Sequence, residues 1–270
     1  MPGNQHFEQV TLLITHYNRS KSLERLLAAF QELQCTFGDI VVSDDGSKPE
    51  HLQYVEELKN RFTFRLITTP KNKGLGNNIN KGQDAVTTPY TLYVQEDFVP
   101  KDTFLVHFDN ALDFMEQDKG LDIVRFYAYF PYPYMKPYGK GYSEMIFHKM
   151  PWYTNHLKFY FYSDHPHLRR SNFFEKFGRY TEGVKGDLTE YWMSLGFIHY
   201  KARGLFFNDY TELFDQRNSP DEPSTMERND WRQSKNPFVR LMRSGYLVTK
   251  FARWSWDVFA AKHLTKKGEM

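Results

Sequence analysis

Acidic residues stand in this chain where buried strands end. In "TLYVQEDFVP" an apolar run from Thr91 to Val94 meets Gln95, Glu96 and Asp97 before Pro100. In "DIVVSDDGS" a second run ends in Asp44 and Asp45, followed by Gly46 and Ser47. In "QVTLLITHY" a third ends in Thr15, His16 and Tyr17, with Asn18 and Arg19 next. Clustered carboxylates repel unless a cation sits among them, and oxygen-rich sites suit Mg2+ or Mn2+. Such an ion commonly binds one or two carboxylates plus substrate phosphates. The pattern therefore points to a nucleoside-diphosphate ligand.

These residues need a scaffold that brings distant strand ends together. "SKSLERLLAAFQEL" places Leu23, Leu26, Leu27, Phe30 and Leu33 at helical spacing, with Ser20 or Ser22 expected as cap. "PEHLQYVEELKNRF" reads as a helix with proline in its first turn, and "FRLITTP" as a strand. "KGLGNNINKGQDAV" is a glycine-punctuated loop entering a helix. "KDTFLVHFDNALDFMEQ" is a helix, and "LDIVRFYAYF" a fifth strand. The alternation predicts an α/β fold, a doubly wound, mostly parallel sheet with helices on both faces. In such sheets ligands bind outside the carboxyl ends of the strands.

Composition sets the outer bounds. The chain has 270 residues, 40% hydrophobic and 25% charged, as in ordinary soluble domains. Cys35 is the only cysteine, which excludes an internal disulfide and fits a reducing compartment. The start "MPGNQHFEQV" has no cationic flank before an apolar core, so no signal peptide is expected. No apolar run approaches the roughly 18 residues of a membrane span. Charge is unevenly spread: residues 231–270 carry nine Lys or Arg against Asp257 and Glu269, leaving 26 basic and 31 acidic groups before them. Basic charge confined to a tail argues against nucleic-acid binding.

Together, "TLLITHYNRSKSLERLL", "DIVVSDDGS", "NKGLGNNINKG" and "LYVQEDFVP" resemble the successive motifs of family-2 glycosyltransferases with the GT-A fold. The resemblance is close over residues 9–125 and looser to about 210. It implies a glycosyltransferase domain over 1–230, with a nucleotide-sugar half (9–125) and an acceptor half (126–230), then a tail at 231–270. It implies that Thr15 and Tyr17 line the base pocket, with Asn18 and Arg19 beside them. Asp44 would contact the base, Asp45 the base or ribose, and Glu96 the ribose and donor sugar. Lys73, Gly74 and Asn80 would complete the donor site. Asp97 would hold the metal, Mn2+ or Mg2+, with Asn208 from the late chain. Three positions depart from the family. Gln95 replaces the first Asp of its Asp-x-Asp motif. Ile79-Asn80 replaces a frequent Arg-Asn, so Lys71 or Lys73 would supply the charge. Asn208-Asp209 stands where a late His is expected.

Inverting transfer also needs a carboxylate to take the acceptor's proton. The family places it at the start of a helix after the acceptor region. In "EGVKGDLTEYWMSLGF", Asp187 is the expected base and helix cap, with Glu190 completing a capping pattern. Glu190 and Glu182 are the reserves. Between Phe126 and Tyr162, 15 of 37 residues are aromatic. This block reads as irregular structure or short hairpins outside the wound sheet. Tyr132, Tyr134, Tyr138, Trp152 and Tyr153 are acceptor-binding candidates, although most such rings are expected to form a second core. In "SDHPHLRR", His165, His167, Arg169 and Arg170 are candidates for an anionic acceptor or the donor diphosphate.

On a tail helix from Phe238, Phe238, Leu241, Met242, Val248, Trp256 and Phe259 share one face, and Arg240, Arg243, Lys250 and Arg253 fall mostly opposite. Leu247, Phe251 and Trp254 spill onto the basic side. The segment suits an anionic membrane surface, packing on the catalytic domain, or a second subunit as a homodimer contact. The expectation is an inverting transferase using a UDP-sugar. It would act on a glycan or lipid-linked glycan in surface polysaccharide or lipopolysaccharide synthesis, cytoplasmic and peripheral on the membrane. The alternatives are a non-catalytic carbohydrate- or nucleotide-binding scaffold, and a sugar nucleotidyltransferase. The latter lacks its glycine-rich phosphate loop in "THYNRSKS".

Overall fold

The first strand, β1 (Gln5–His16), is the spine of the molecule. Side chains alternate across a strand, so Val10, Leu12 and Ile14 enter one buried cluster while Leu13 enters another. Burial on both faces explains why β1 reads as one apolar run. The computed structural model describes residues 5–150, 152–218, 222 and 237–260, with the backbone alone for 237–241, 243 and 244.

After β1 the chain forms α1 (Ser20–Glu32), β2 (Cys35–Asp44), α2 (Pro49–Leu58), β3 (Arg65–Ile67), α3 (Leu75–Asp84) and β4 (Tyr90–Gln95). A short β5 (Phe98–Pro100), α4 (Phe104–Gln117) and β6 (Ile123–Arg125) follow. Next come a hairpin of β7 (Met135–Gly139) and β8 (Tyr142–Met145), a 3-10 turn (His156–Phe159) and β9 (His167–Arg170). The rest is α5 (Phe173–Phe177), α6 (Gly186–His199), β10 (Gly204–Phe207), β11 (Phe214–Gln216) and α7 (Pro237–Ala260).

Nine strands form one sheet in the order β3-β2-β1-β4-β9-β6-β10-β8-β7. All but β9 and β8 run the same way. The chain winds outward from β1 to β3, then returns to start the other half at β4, which makes the β1/β4 edge the switch point. One face is covered by α1, α2 and α4, through residues such as Leu26, Val55 and Phe108. The other is covered by α3, α5, α6 and α7, through Ile79, Phe177, Phe197, Phe251 and Trp254. Gly82 lets α3 lie close to the sheet, since a Cβ there would come within 2.6 Å of Leu13 Cδ1.

Four details differ from the sequence reading. Neither Ser20 nor Ser22 caps α1: Arg19 is the N-cap residue. Instead the Glu222 carboxylate accepts from the Lys21 and Ser22 N–H groups at 2.9 and 2.8 Å. Four buried apolar side chains on α1, at about 1.5–3 kcal/mol each, outweigh a cap's roughly 1 kcal/mol. Packing, not local capping, fixes this helix. Second, the aromatic block is not outside the sheet, because β8 pairs with β10 and carries β7 along as the edge. Third, α6 begins after Lys185, so Asp187 lies in its first turn and is not its cap.

Fourth, the packed stripe of α7 is Phe251, Trp254 and Val258. Met242, Val248, Trp256 and Phe259 face outward, and Phe238 and Leu241 lie outside the described side chains. Trp254 meets Phe159, Tyr160 and Tyr191, and Tyr191 OH donates to Asp257 Oδ2 at 2.7 Å. Among the described residues no helix is long and apolar enough to cross a membrane.

Candidate functional site

Strand register sets the site. Thr15 lies opposite Ser43 on β2 and Gln95 on β4, and His16 lies opposite Asp44. The three sequence motifs therefore end level along one rim. Asn18, at φ 53°, joins two of them: its N–H donates to Ser47 Oγ at 2.8 Å and its Oδ1 accepts from Lys48 N–H. Thr15 Oγ1 bonds Tyr93 OH at 3.0 Å, and Tyr17 is half-buried beside them.

Asp44 is saturated by its own surroundings. Oδ1 accepts from His16 Nδ1 at 2.8 Å and from Ser47 Oγ, while Oδ2 accepts from Gly46 N, Ser47 N and Thr68 Oγ1. Burial alone would raise its pKa, but the bonds from His16, Ser47 and Thr68 outweigh it and hold the carboxyl well below its usual range. Asp45 clamps the next loop, accepting from Lys73 N and Gly74 N, both at 2.8 Å. Burial raises its pKa despite those bonds. Gly46, at φ +68°, is required because a Cβ would lie 2.4 Å from the Lys71 carbonyl carbon. Lys81, missed on sequence, is the cation that reaches this turn, donating to the Asp44 carbonyl; Lys71 and Lys73 are exposed. A lysine on the inward turn of α3 becomes recognisable only once that helix is placed.

At the end of β4, Arg19 Nη1 lies 3.2 Å from Asp97 Oδ2 and 3.6 Å from Glu96 Oε1, with all three residues buried. Burial, reinforced by Asp97, pushes Glu96 up to about 8, with Arg19 opposing. Gln216 Nε2 donates to Asp97 Oδ2 at 2.9 Å, because β11 runs antiparallel to β5 and returns to the acids. Gln216, not Asn208, is thus the late residue that reaches Asp97. Asn208 is exposed past β10, with β9 and β6 between that strand and β4. Among the described residues no three His, Cys, Asp or Glu side chains gather into a cation cage. Asp97 Oδ1 is nonetheless buried without a hydrogen-bond partner among the described residues. It is the atom a divalent ion would take, with substrate phosphates completing the shell.

A second acidic group stands next along the rim. β9 runs against its neighbours, so the residues just before it lie level with the ends of β4 and β6. Asp164 is there, accepting from Gln95 Nε2 at 2.9 Å. Its N–H points to Glu190 Oε1 at 3.4 Å, which brings the Glu190 carboxyl up against Asp164. Burial pushes Asp164 up to about 6, and burial plus Asp164 raise Glu190 well above the carboxylate range. Arg125, buried at the end of β6, opposes the shift of Glu190 and is itself lowered to about 10 by burial. Asp187, a turn before Glu190, is exposed. Glu182 is tied by Asn77 and Asn80 at 2.7 and 2.8 Å, and Asn80 also bonds the Tyr180 backbone. Asp164 and Arg125 were not singled out on sequence: isolated charges near "SDHP" and "DIVRF" carry no motif.

The acceptor candidates divide. Tyr132 is core, its OH bonding Lys158 O. Tyr138 packs on Phe114. Tyr134, His148 and Tyr153 form an aromatic cluster, with His148 stacked 3.9 Å from Tyr153, and Trp152 is exposed beside it. His167 and Arg169 are fully buried. Arg169 bonds His167 Nε2, Tyr180 OH and Gln83 Oε1, and burial followed by Arg169 depresses His167. Arg170 bonds the Leu121, Met115 and Asp118 carbonyls. Those three side chains are taken up by contacts within the fold.

Known proteins resemble this chain in sequence and in fold. The poly-beta-1,6-N-acetyl-D-glucosamine synthase of Staphylococcus epidermidis is 24% identical over 99 residues, 37% of this chain and 24% of that protein. The cholesterol galactosyltransferase of Borreliella burgdorferi is 27% identical over 127 residues, 46% of this chain and 34% of that one. The match thus spans about a quarter to a third of those relatives' length. In fold, the chain is similar to S. aureus TarS 1-349, solved with UDP-GlcNAc (TM-score 0.59, 15% identity, 83% of this chain and 63% of that one). It is also similar to the mannosyltransferase PcManGT of Pyrobaculum calidifontis, solved with GDP-Man and Mn2+ (TM-score 0.54, 14% identity, 97% and 76%). The profile of glycosyl transferase family 2 matches residues 11–178, more than half of the sequence, and the chain belongs to that family.

Proposed function

We propose that the protein transfers a sugar, with inversion, from a nucleoside-diphosphate sugar to a saccharide or lipid-linked saccharide in surface polysaccharide synthesis. A UDP-sugar is the first donor to test, given the TarS complex. One observation carries the reading: the donor motifs and the Asp164–Glu190 pair meet on one rim, linked by the Gln95–Asp164 hydrogen bond. Glu190 accepts the acceptor hydroxyl's proton as that oxygen attacks the anomeric carbon. The bond from that carbon to the diphosphate breaks, and its electron pair leaves with the diphosphate. Arg19 supplies fixed positive charge next to Asp97, where the leaving group's charge grows. A Mn2+ or Mg2+ ion on Asp97 Oδ1, when bound, would neutralise more of that charge.

The outer face of α7 supports a cytoplasmic, membrane-peripheral setting. Met242, Val248, Trp256 and Phe259 are exposed on a helix that also carries the exposed Arg253. Each basic residue near an anionic surface adds about 1 kcal/mol.

Incubating the protein with UDP-GlcNAc, UDP-galactose, UDP-glucose and GDP-mannose, with Mn2+, tests the function. Release of nucleoside diphosphate from at least one donor is expected. Absence of nucleotide binding by calorimetry for all four would overturn it and favour a scaffold.

A further inference from the structure

We infer that Asp164 is a positioning residue for the acceptor base: it holds Glu190 through a shared proton, and Gln95 anchors that carboxyl pair to the donor motif. The inference rests on the transferase reading above and adds residues that the sequence motifs do not name.

Geometry carries it. The reversed direction of β9 brings Asp164 to the rim where β4 and β6 end. Asp164 Oδ2 takes the Gln95 amide at 2.9 Å, and Glu190 Oε1 faces the Asp164 N–H at 3.4 Å. The groups around the pair are Arg125 from β6, Tyr93 from β4 with Asp97 beyond it, Tyr162, Ser163 and Tyr180 from the loops, and Tyr132. Arg125 is the cation among them, and it balances one carboxylate. A second would be an uncompensated charge at this partly buried rim, so the pair retains one proton between them. The raised carboxyl pKa values, caused first by burial, agree with this count.

The same geometry explains why an amide stands at position 95. An aspartate there would set another carboxylate facing Asp164, whereas Gln95 donates to it. The departure from the Asp-x-Asp pattern and the presence of Asp164 are then one feature.

The experiment is the pH dependence of kcat for transfer, with UDP binding measured in parallel by calorimetry, for Asp164→Asn and Glu190→Gln. D164N should leave UDP affinity within about threefold. It should move the acidic limb of the profile down by about one unit or more, because Glu190 loses an anionic neighbour. E190Q should lower transfer at least about 100-fold at every pH. A purely structural Asp164 would lower kcat without moving the limb, and that result overturns the inference, as does transfer retained in E190Q. If D164N does not fold, Arg125→Met decides: losing the balancing cation should move the limb up, and an unmoved limb overturns the inference. Failure of the wild type to bind UDP or any sugar nucleotide would instead sink the transferase reading itself.

Discussion

Arg19 Nη1 and Asp97 Oδ2 are 3.2 Å apart, joining the end of β1 to the end of β4 inside a buried site. Each also keeps one buried polar atom without a partner among the described residues, Arg19 Nε and Asp97 Oδ1. A paired charge of this kind suits the diphosphate and the cation of the proposed function.

Asp97→Asn therefore has a sharp expectation. It keeps the shape but removes the charge facing Arg19 and the oxygen offered to a divalent ion. Transfer should fall at least about 100-fold, roughly 3 kcal/mol of transition-state stabilisation. Initial rates with and without Mn2+ would show this, and D97N rates within tenfold of wild type would reject the assignment.

Asp45→Ala should act on the loop more than on chemistry. Its carboxylate holds Lys73 N and Gly74 N, and hydrogen bonds to a charged group contribute about 1.5–3 kcal/mol each. A loss of about 3 kcal/mol in stability, with weaker nucleotide binding, is expected from urea unfolding and calorimetry. An unchanged melt would show that the clamp does not stabilise the fold.

Two carboxyls should leave opposite marks on stability against pH. Asp44 is depressed when folded, so its contribution is present above the unfolded value near 3.9 and is lost as pH falls through its folded pKa. The stability gap between wild type and Asp44→Asn should narrow below about pH 4. Asp164 is raised to about 6, so its contribution is present below the unfolded value and is lost as pH rises through about 6. Wild type should lose ground to D164N between about pH 4 and 7 in thermal melts. A constant difference across that window would contradict the raised pKa.

The two faces of α7 should separate by mutation. Trp254→Ala removes contacts with Phe159, Tyr160 and Tyr191 and should cost about 2 kcal/mol, less than the ~3–5 of a fully buried Trp. The double change of Trp256 and Phe259 to Ser should leave the melt unchanged, because these side chains are 61% and 83% exposed. It should abolish co-sedimentation with phosphatidylserine vesicles. Equal sedimentation of both proteins would remove the membrane role from that face.

Much of the donor side was legible because it is written in local runs. A doubly covered strand such as β1 needs consecutive apolar residues, and the turn after Asp45 needs Gly46, so chain order alone located those ends. The side that holds the proposed base was less legible. Asp187 stands in the expected stretch, but α6 starts earlier than a capping pattern suggests, and burial selects Glu190 as the side chain held against another acid.

The sequence by itself determined the winding of the sheet and the acids that close its strands, because apolar periodicity and turn chemistry act over a few residues. Only the tertiary structure decided who stands beside whom. Arg19 between Glu96 and Asp97, Gln216 on Asp97, Glu222 on α1, and Gln95 on Asp164 are contacts across 69 to 200 residues. They depend on strand order and on the reversed direction of β9, and no spacing within the chain encodes either.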